Sequence, residues 1–428
     1  MRATDEGGAP GLFDHPLRVT RQQHRGLPTG LSYEQIELPP VAGVDSVATA
    51  VQLPVPPAAP DPDVTLAAAA RVWCGEDRGQ LVMRRASVAE LERDGELVLA
   101  PDAINGVAPA VLAAKGCPLR TVGRDEPVRW VRAVLQDQHG WVPYLQAVTR
   151  GLEIHPDEPL THPVNFAGLV AARGRSDAVN AGLADAIGQD ALVLWWHGRA
   201  AVGRLRCPAD LGGTPGLAVR CLLLSSPTKV PVVLAAVTDE VEGITTIAVA
   251  AVDQRGPTEG EPAIRAAVAR ASWQLVLSRA LDAGGVAFAA GRPPGTLDHR
   301  CDRHYLEAAG PNLRRALDPL AALQLGLDPR VQDRLVRLIE AADALPEIEQ
   351  ITAPTATMEE QARAAGHALW VVDLTTPDVR AGGWHCVRVI VPDLLRVPVP
   401  AFPPDLSARL GQGVGGSANA NALPLPGW

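Results

Sequence analysis

Residues 176–252 carry the pattern that most restricts the fold of this chain. From Ser176 to Trp196 apolar side chains recur at steps of three and four residues, which predicts one long helix with an apolar face. Three runs rich in Val, Leu and Ile follow, separated by turn residues, and predict strands at Leu217–Leu224, Val230–Val237 and Thr245–Val252. A long helix beside consecutive strands indicates an α+β fold, with central mixed sheets flanked by helices.

Further helices and hairpins are predicted on both sides of this region. Ser87 precedes Glu90 by three residues, the spacing of a capping box, and starts one helix. Composition and periodicity predict other helices at Asp63–Cys74, Pro262–Asp282, Pro329–Ala342 and Thr357–Ala365. Apolar runs around turn residues predict a short strand and two hairpins, at Leu81–Met83, Pro127–Val148 and His367–Val391.

Composition excludes several classes of protein. The net charge of −9 argues against non-specific nucleic-acid binding, which depends on neutralising phosphates with Lys and Arg. The six cysteines are scattered without a CxxC pair, which is typical of a reduced, cytoplasmic protein. No apolar stretch approaches the roughly 20 residues that cross a bilayer, so no membrane span is expected.

The chain of 428 residues divides by composition into two parts. Residues 1–60 are expected to form an irregular arm of loops and short strands. It ends in the Pro-rich linker Leu53–Pro60, where proline restricts the backbone and lacks an amide donor. Residues 61–428 are expected to form the main domain, which ends in a Pro-rich tail.

Several segments resemble, in order, the motifs of one protein family. Three motifs are matched by Arg129-Trp-Val131 with Val142-Pro143, by the segment Ala167–Ala178 and by the helix Ala178–Trp196. The most distinctive match is Val371-Val-Asp-Leu-Thr-Thr-Pro-Asp378 with Val387-Arg-Val-Ile-Val-Pro392. Together they resemble the YcaO family.

The resemblance implies a fold, a chemistry and a set of partners. The fold is the YcaO-type fold, with ATP and Mg²⁺ held by acidic helices. The chemistry is ATP-dependent cyclodehydration of Cys, Ser or Thr in a ribosomally made precursor peptide, which gives thiazolines and oxazolines. Pro424 and Pro426 are similar to the Pro-rich terminus of azoline-forming members, which enters the active site.

The chain departs from the family at positions that would hold the metal. Where the first family helix reads E-x-x-E-R-Y-C, both glutamates are replaced, and further departures occur before the second helix and on the second and third helices. The replacing residues are Ala68, Arg71, Ala167, Gly188, Gln189 and Ala269. Because Mg²⁺ needs about six oxygen ligands, this loss predicts poor or absent ATP turnover.

The residues that the resemblance leaves as equivalents of the ATP and Mg²⁺ site are Asp177, Asp185, Asp190 and Arg265. The first hypothesis is therefore a non-catalytic or weakly active partner of an active YcaO or other peptide-modifying enzyme, with a homodimer also possible. The alternative is an active cyclodehydratase that uses the three aspartates, and a regulator unrelated to peptide modification is a third hypothesis. His299, Cys301 and His304 fit a polar loop better than a zinc site, since no fourth ligand has a matching spacing.

Overall fold

The computed structural model describes residue 12 and residues 17–22, 32–41, 44–52, 62–104, 107–211, 215–252, 260–283, 296–352, 355–405 and 423–427. The strands are β1 (Arg18–Gln22), β2 (Ser32–Val41), β3 (Val44–Gln52), β4 (Met83–Ala86), β5 (Leu97–Val98), β6 (Val128–Leu135), β7 (Gln138–Pro143), β8 (Leu169–Arg173), β9 (Val202–Leu205), β10 (Leu217–Leu224), β11 (Val232–Asp239), β12 (Ile244–Ala251), β13 (Glu347–Ile348), β14 (Trp370–Asp373) and β15 (Trp384–Ile390). The helices are α1 (Pro62–Gly75), α2 (Val88–Arg93), α3 (Pro101–Ile104), α4 (Pro109–Leu112), α5 (Tyr144–Ala147), α6 (Gly151–Ile154), α7 (Arg175–Trp196), α8 (Glu261–Asp282), α9 (Tyr305–Ala308), α10 (Pro319–Gly326), α11 (Pro329–Asp343), α12 (Met358–Ala364) and α13 (Pro377–Ala381).

The strands form three sheets. β1, β2 and β3 make an antiparallel sheet, and a five-stranded sheet has the order β12-β11-β10-β9-β13. A seven-stranded sheet has the order β5-β7-β6-β14-β15-β8, with β4 also paired to β6. The pairs β5–β7 and β9–β13 are parallel and the other pairs are antiparallel, so the architecture is mixed, as the sequence predicts.

Helix α7 lies between the two larger sheets. Val387 and Val389 of β15 share its apolar cluster with Ile247 and Val249 of β12. The alternate positions of β15, Cys386 and Ile390, belong to a different cluster that contains α1. Because side chains alternate between the faces of a strand, α1 and α7 cover opposite faces of the seven-stranded sheet near its edge strand β8.

The strongest predictions from sequence are confirmed. The periodic run from Ser176 is α7, the run from Pro262 is α8, and the three apolar runs are β10, β11 and β12. The Ser87 hydroxyl oxygen accepts a hydrogen bond from the Glu90 amide, and the Glu90 carboxylate accepts one from the Ser87 amide, which completes the predicted capping box. Each predicted hairpin also contains or adjoins a short helix, α5 in the first and α13 in the second.

The part of residues 1–60 that the structure describes is more regular than the expected arm of loops and short strands. β1, β2 and β3 occupy most of it, and β3 packs against α1. Their buried face carries Ile36, Leu38 and two alanines, but Glu34 and Ser46 interrupt it, so the alternation of apolar and polar residues is incomplete. The linker Leu53–Pro60 lies outside the described residues. Within the described part of the chain, no helix has the length and apolar character needed to span a membrane.

Candidate functional site

The site is centred on Asp185, in the middle of α7. Asp185 Oδ2 accepts hydrogen bonds from the Gly168 amide at 2.9 Å and from Gln189 Nε2 at 3.1 Å. Asp185 Oδ1 faces Arg270 Nη1 at 3.3 Å. Both carboxylate oxygens therefore already have donors from protein groups.

Gly168 fixes this carboxylate to the start of β8. Its φ of +71° lies in the left-handed region, and a Cβ at this position would lie 2.1 Å from the carbonyl oxygen of Val389. Gly182 allows the same close approach one turn earlier on α7, where a Cβ would lie 2.6 Å from Val389 Cγ2. Only glycine fits such contacts, so the two residues seat α7 directly on the edge of the sheet.

Arg71 approaches Asp185 from α1, around the sheet edge. Its side chain is exposed, and it has no hydrogen-bond partner among the described residues. Neighbouring protein nevertheless removes enough water from the guanidinium to lower its pKa, and the positive charge of Arg270 adds to this, while Asp185 opposes it. Arg71 is thus an exposed cation whose charge interacts with a second arginine and with one carboxylate.

Arg270 covers Asp185 from α8. Its Nη1 also donates to the Val249 carbonyl oxygen of β12 at 3.1 Å, and the rest of its guanidinium is exposed. Gly188, one turn after Asp185 on α7, faces the same strand, since a Cβ there would touch Val249 Cγ2 at 3.4 Å. Gly188 has no side chain to cover Asp185, and the side chain of Arg270 covers it instead.

Arg388 is a buried cation on β15, with a side chain only 1% exposed. Its Nε donates to the Gln146 carbonyl oxygen at 3.0 Å and its Nη1 to that of Ala167 at 2.9 Å, and its Nη2 donates to that of Asn165. Burial lowers its pKa to about 9, and the nearby charge of Arg396 contributes, so it stays protonated at neutral pH. Arg388 joins three chain segments beneath the site.

Arg396 follows β15 and completes the group of positive charges. Its Nη1 donates to Gln146 Oε1 at 2.6 Å, while its Nη2 is buried and has no partner among the described residues. Burial lowers its pKa to about 10. The neighbouring Val397 amide donates to Gln189 Oε1 at 3.2 Å, which fixes this loop to the site helix. We call Arg71, Arg270, Arg388 and Arg396 the arginine cluster.

These side chains do not fit a magnesium ion. Mg²⁺ requires near-octahedral oxygen coordination at ~2.1 Å. The site supplies one carboxylate, Asp185, whose oxygens already accept three hydrogen bonds. The four guanidinium groups outnumber it and would repel a divalent cation. Elsewhere in the described chain, no group of three or more His, Cys, Asp or Glu side chains is placed to hold a metal ion, and this includes the loop with His299, Cys301 and His304.

The other predicted acids do not meet at Asp185. Asp190 is fully buried and accepts a hydrogen bond from the Leu395 amide at 2.8 Å. Five residues correspond to about 140° around a helix, so Asp190 and Asp185 point in different directions. Asp177 is an exposed residue in the first turn of α7, about 12 Å along the axis from Asp185. Arg265 is held by Glu261 at 2.7 Å and Asp210 at 2.9 Å.

The predicted replacement positions lie around the same site. The charge of Arg71 interacts with that of Asp185, and Gln189 Nε2 donates a hydrogen bond to Asp185. The Ala167 carbonyl oxygen accepts from Arg388, and Gly188 is buried against β12. Ala68 packs at the edge of the cluster that contains α1, and Ala269 is half-buried on α8 next to Arg270.

Arg270, Arg388 and Arg396 are functional candidates that the sequence interpretation missed. The available signal was an arginine inside the continuous apolar run Val387-Arg-Val-Ile-Val391, because a strand buried on both faces accepts a cation only with dedicated acceptors. Arg270 is adjacent to Ala269, the position at which the family motif has a glutamate.

The C-terminal tail lies in a groove between helices. Trp196 Nε1 donates to the Leu423 carbonyl oxygen at 2.9 Å, and Pro426 lies against Gly326 of α10. Gly427 lies against Gln274, which follows Arg270 by one turn of α8, or about 6 Å. Pro424 is half-buried and Pro426 is buried. The predicted tail thus docks beside the helix that carries Arg270.

The comparison with family models decides the family. Residues 68–395, well over half of the chain, match the model described as YcaO cyclodehydratase, ATP- and Mg²⁺-binding. The chain belongs to the YcaO family. This confirms the family suggested by the motifs, and the match covers every residue of the arginine cluster except Arg396. No curated protein sequence matches the chain.

Solved structures share the YcaO fold. A heterocyclase in complex with substrate and cofactor has a TM-score of 0.61 and 14% identity over 92% of this chain, which spans 52% of the heterocyclase. YcaO from Methanopyrus kandleri bound with AMPPCP and Mg²⁺ has a TM-score of 0.54 and 19% identity, covering 88% and 86% of the two chains. The E. coli microcin synthetase McbBCD complex has a TM-score of 0.56 and 11% identity, covering 100% and 99%. At these identities the likeness shows the fold alone.

Proposed function

We propose that this chain is a non-catalytic or weakly active YcaO protein of thiazole and oxazole peptide biosynthesis. It binds or positions a ribosomally made precursor peptide for an active YcaO or other peptide-modifying enzyme in the cytoplasm. In this proposal residues 61–428 are the YcaO-like domain, and the tail with Pro424 and Pro426 belongs to it. A homodimer is compatible with the same role.

One observation carries the proposal: Arg71 stands where the family motif has a glutamate, and its positive charge interacts with the carboxylate of Asp185. Phosphoryl transfer from ATP needs metal ions that bridge the phosphate oxygens and offset their charge. A carboxylate favours such an ion, and an arginine at the same place repels it. The YcaO fold around the site is preserved, which supports a role in binding a partner molecule and not in phosphoryl transfer.

The requirement for a partner is supported by the solved relatives. The microcin synthetase is a complex, and this chain spans about half of the heterocyclase that it resembles. We therefore propose that the ATP-dependent chemistry resides in another chain, and that this chain binds the precursor peptide together with that partner.

The alternative is an active ATP-dependent cyclodehydratase that uses Asp177, Asp185 and Asp190. Asp185 favours it, because this carboxylate stands where the resemblance places a family glutamate and is held in position by the Gly168 amide. The separation of the three acids argues against it, since two oxygens that bind one Mg²⁺ lie within about 4 Å of each other.

The test needs a precursor peptide and a peptide-modifying enzyme, which we expect the neighbouring genes to encode. Each purified protein, alone and combined, is incubated with peptide, ATP and Mg²⁺, and peptide mass is followed by mass spectrometry. We expect no loss of water with this chain alone, and more modification by the partner when the chain is added. Loss of water with this chain alone would contradict the proposal, and so would a partner that works equally well without it.

A further inference from the structure

The arginine cluster has an excess of positive charge that no described carboxylate balances. Among the described residues, Asp185 is the carboxylate whose negative charge acts on both Arg71 and Arg388. Four guanidinium groups and one carboxylate leave three positive charges in excess. Arginine is the side chain best suited to such a site, because its planar guanidinium stays protonated even where water is scarce.

Two members of the cluster can reach a ligand. Arg71 and Arg270 are both exposed, and they come from α1 and α8, on different sides of Asp185. Arg270 uses only Nη1 in its hydrogen bonds to Asp185 and Val249, and Arg71 uses none of its donors among the described residues. Each guanidinium carries five N–H donors, so both retain a free edge for hydrogen bonding.

The other two members supply fixed charge from below. Arg388 is bound to three backbone carbonyl groups and cannot turn outward without breaking them. Arg396 is held by Gln146 and keeps one buried Nη2 without a partner in the described chain. A buried polar atom without a partner carries a free-energy cost, which an anion near the cluster would relieve.

We propose that the arginine cluster is a metal-independent binding site for oligophosphate groups, either of a nucleotide or of inorganic pyrophosphate. The guanidinium groups of Arg71 and Arg270 hold the phosphate oxygens directly, in place of divalent cations. Several adjacent negative charges match the excess of three positive charges better than a single carboxylate does, and phosphate oxygens fit the arginine fork. This inference concerns the same site as the proposed function and rests on it.

The experiment is isothermal titration calorimetry on the full chain in buffer with EDTA. Pyrophosphate and ATP are titrated separately, and both titrations are repeated with excess Mg²⁺. We expect saturable binding without metal, and no gain in affinity when Mg²⁺ is added, because Mg²⁺ neutralises the phosphates that the arginines recognise. Equal affinities would identify the phosphates as the whole recognised group, and tighter binding of ATP would add the nucleoside to it.

Matched variants locate the binding. Arg71→Gln and Arg270→Gln each remove one accessible donor group, and we expect each to weaken binding about tenfold or more, the effect of one charge-assisted hydrogen bond. Arg206→Gln makes the same charge change at an exposed position paired with Glu347, and we expect unchanged affinity. Circular dichroism confirms folding of each variant.

Three results would overturn the inference: no binding of either ligand in EDTA, binding that requires Mg²⁺, or unchanged binding in both cluster variants. Failure here would leave the proposed partner role intact, because that role is measured on the precursor peptide. Cyclisation by this chain alone would instead remove the partner role, whatever the calorimetry shows.

Discussion

Arg388→Met tests whether a buried cation holds the site together. The substitution removes three hydrogen bonds and leaves the carbonyl groups of Gln146, Asn165 and Ala167 without this donor. A stranded buried acceptor costs about 1–3 kcal/mol, and the apolar replacement recovers part of this by avoiding the burial of a charge. We expect a net loss of about 3–5 kcal/mol in the free energy of unfolding.

The assay is thermal unfolding followed by circular dichroism. With an unfolding entropy of ~2.1 cal/mol/K per residue, a chain of this length gives about 0.9 kcal/mol per degree, so Tm should fall by about 3–6 °C. Arg380→Met is the matched control, because Arg380 forms an exposed ion pair with Asp373 at 2.9 Å, and such pairs contribute about 1 kcal/mol or less. Equal shifts in the two variants, or a fall below about 1 °C for Arg388→Met, would refute the reasoning.

Two further predictions concern the scaffold. Gly168→Ala should lower the free energy of unfolding by about 3 kcal/mol or more, because the new Cβ would clash with the Val389 carbonyl. The control Gly366→Ala has a similar positive φ of +84° but open space around the new Cβ, so it should lower the free energy of unfolding by only about 1–2 kcal/mol. Equal Tm shifts in the two variants would contradict this. Burial lowers the pKa of His162 to about 4; the charge of Arg396 also lowers it, and the hydrogen bond with the Pro101 carbonyl opposes the shift. The stability that neutral His162 contributes is therefore complete above about pH 6.5 and falls by roughly 3 kcal/mol toward pH 4, because the unfolded chain takes up the proton first. In Tm scans across this range, His162→Gln should lose that part of the acid sensitivity, and parallel pH profiles would contradict it.

The sequence alone was sufficient to predict the elements that have a strong apolar periodicity or a capping box. α7 has apolar residues at helical spacing, and α2 begins at a capping box, so both are determined by local sequence. β2 and β3 were missed because Glu34 and Ser46 lie on their buried face, where partners on α1 and just after it satisfy them. Their burial depends on tertiary contacts that local patterning does not show.

The site could be predicted from sequence only in part. Motif spacing placed Arg71 and Asp185 at related positions, and the structure brings them together. Helical geometry alone separates Asp190 from Asp185, although the motif groups them. Arg270, Arg388 and Arg396 come from three distant parts of the chain, so their convergence follows from the fold.

The central claim is that this site recruits no divalent metal ion, and a Mn²⁺ titration tests it most directly. Mn²⁺ replaces Mg²⁺ at oxygen sites, and the free ion is measured by electron paramagnetic resonance in the presence of AMPPCP, with and without the protein. We predict that the protein adds no bound Mn²⁺ beyond what AMPPCP holds alone. A saturable additional loss of the free Mn²⁺ signal, reduced when Asp185 is replaced by Asn, would contradict the claim.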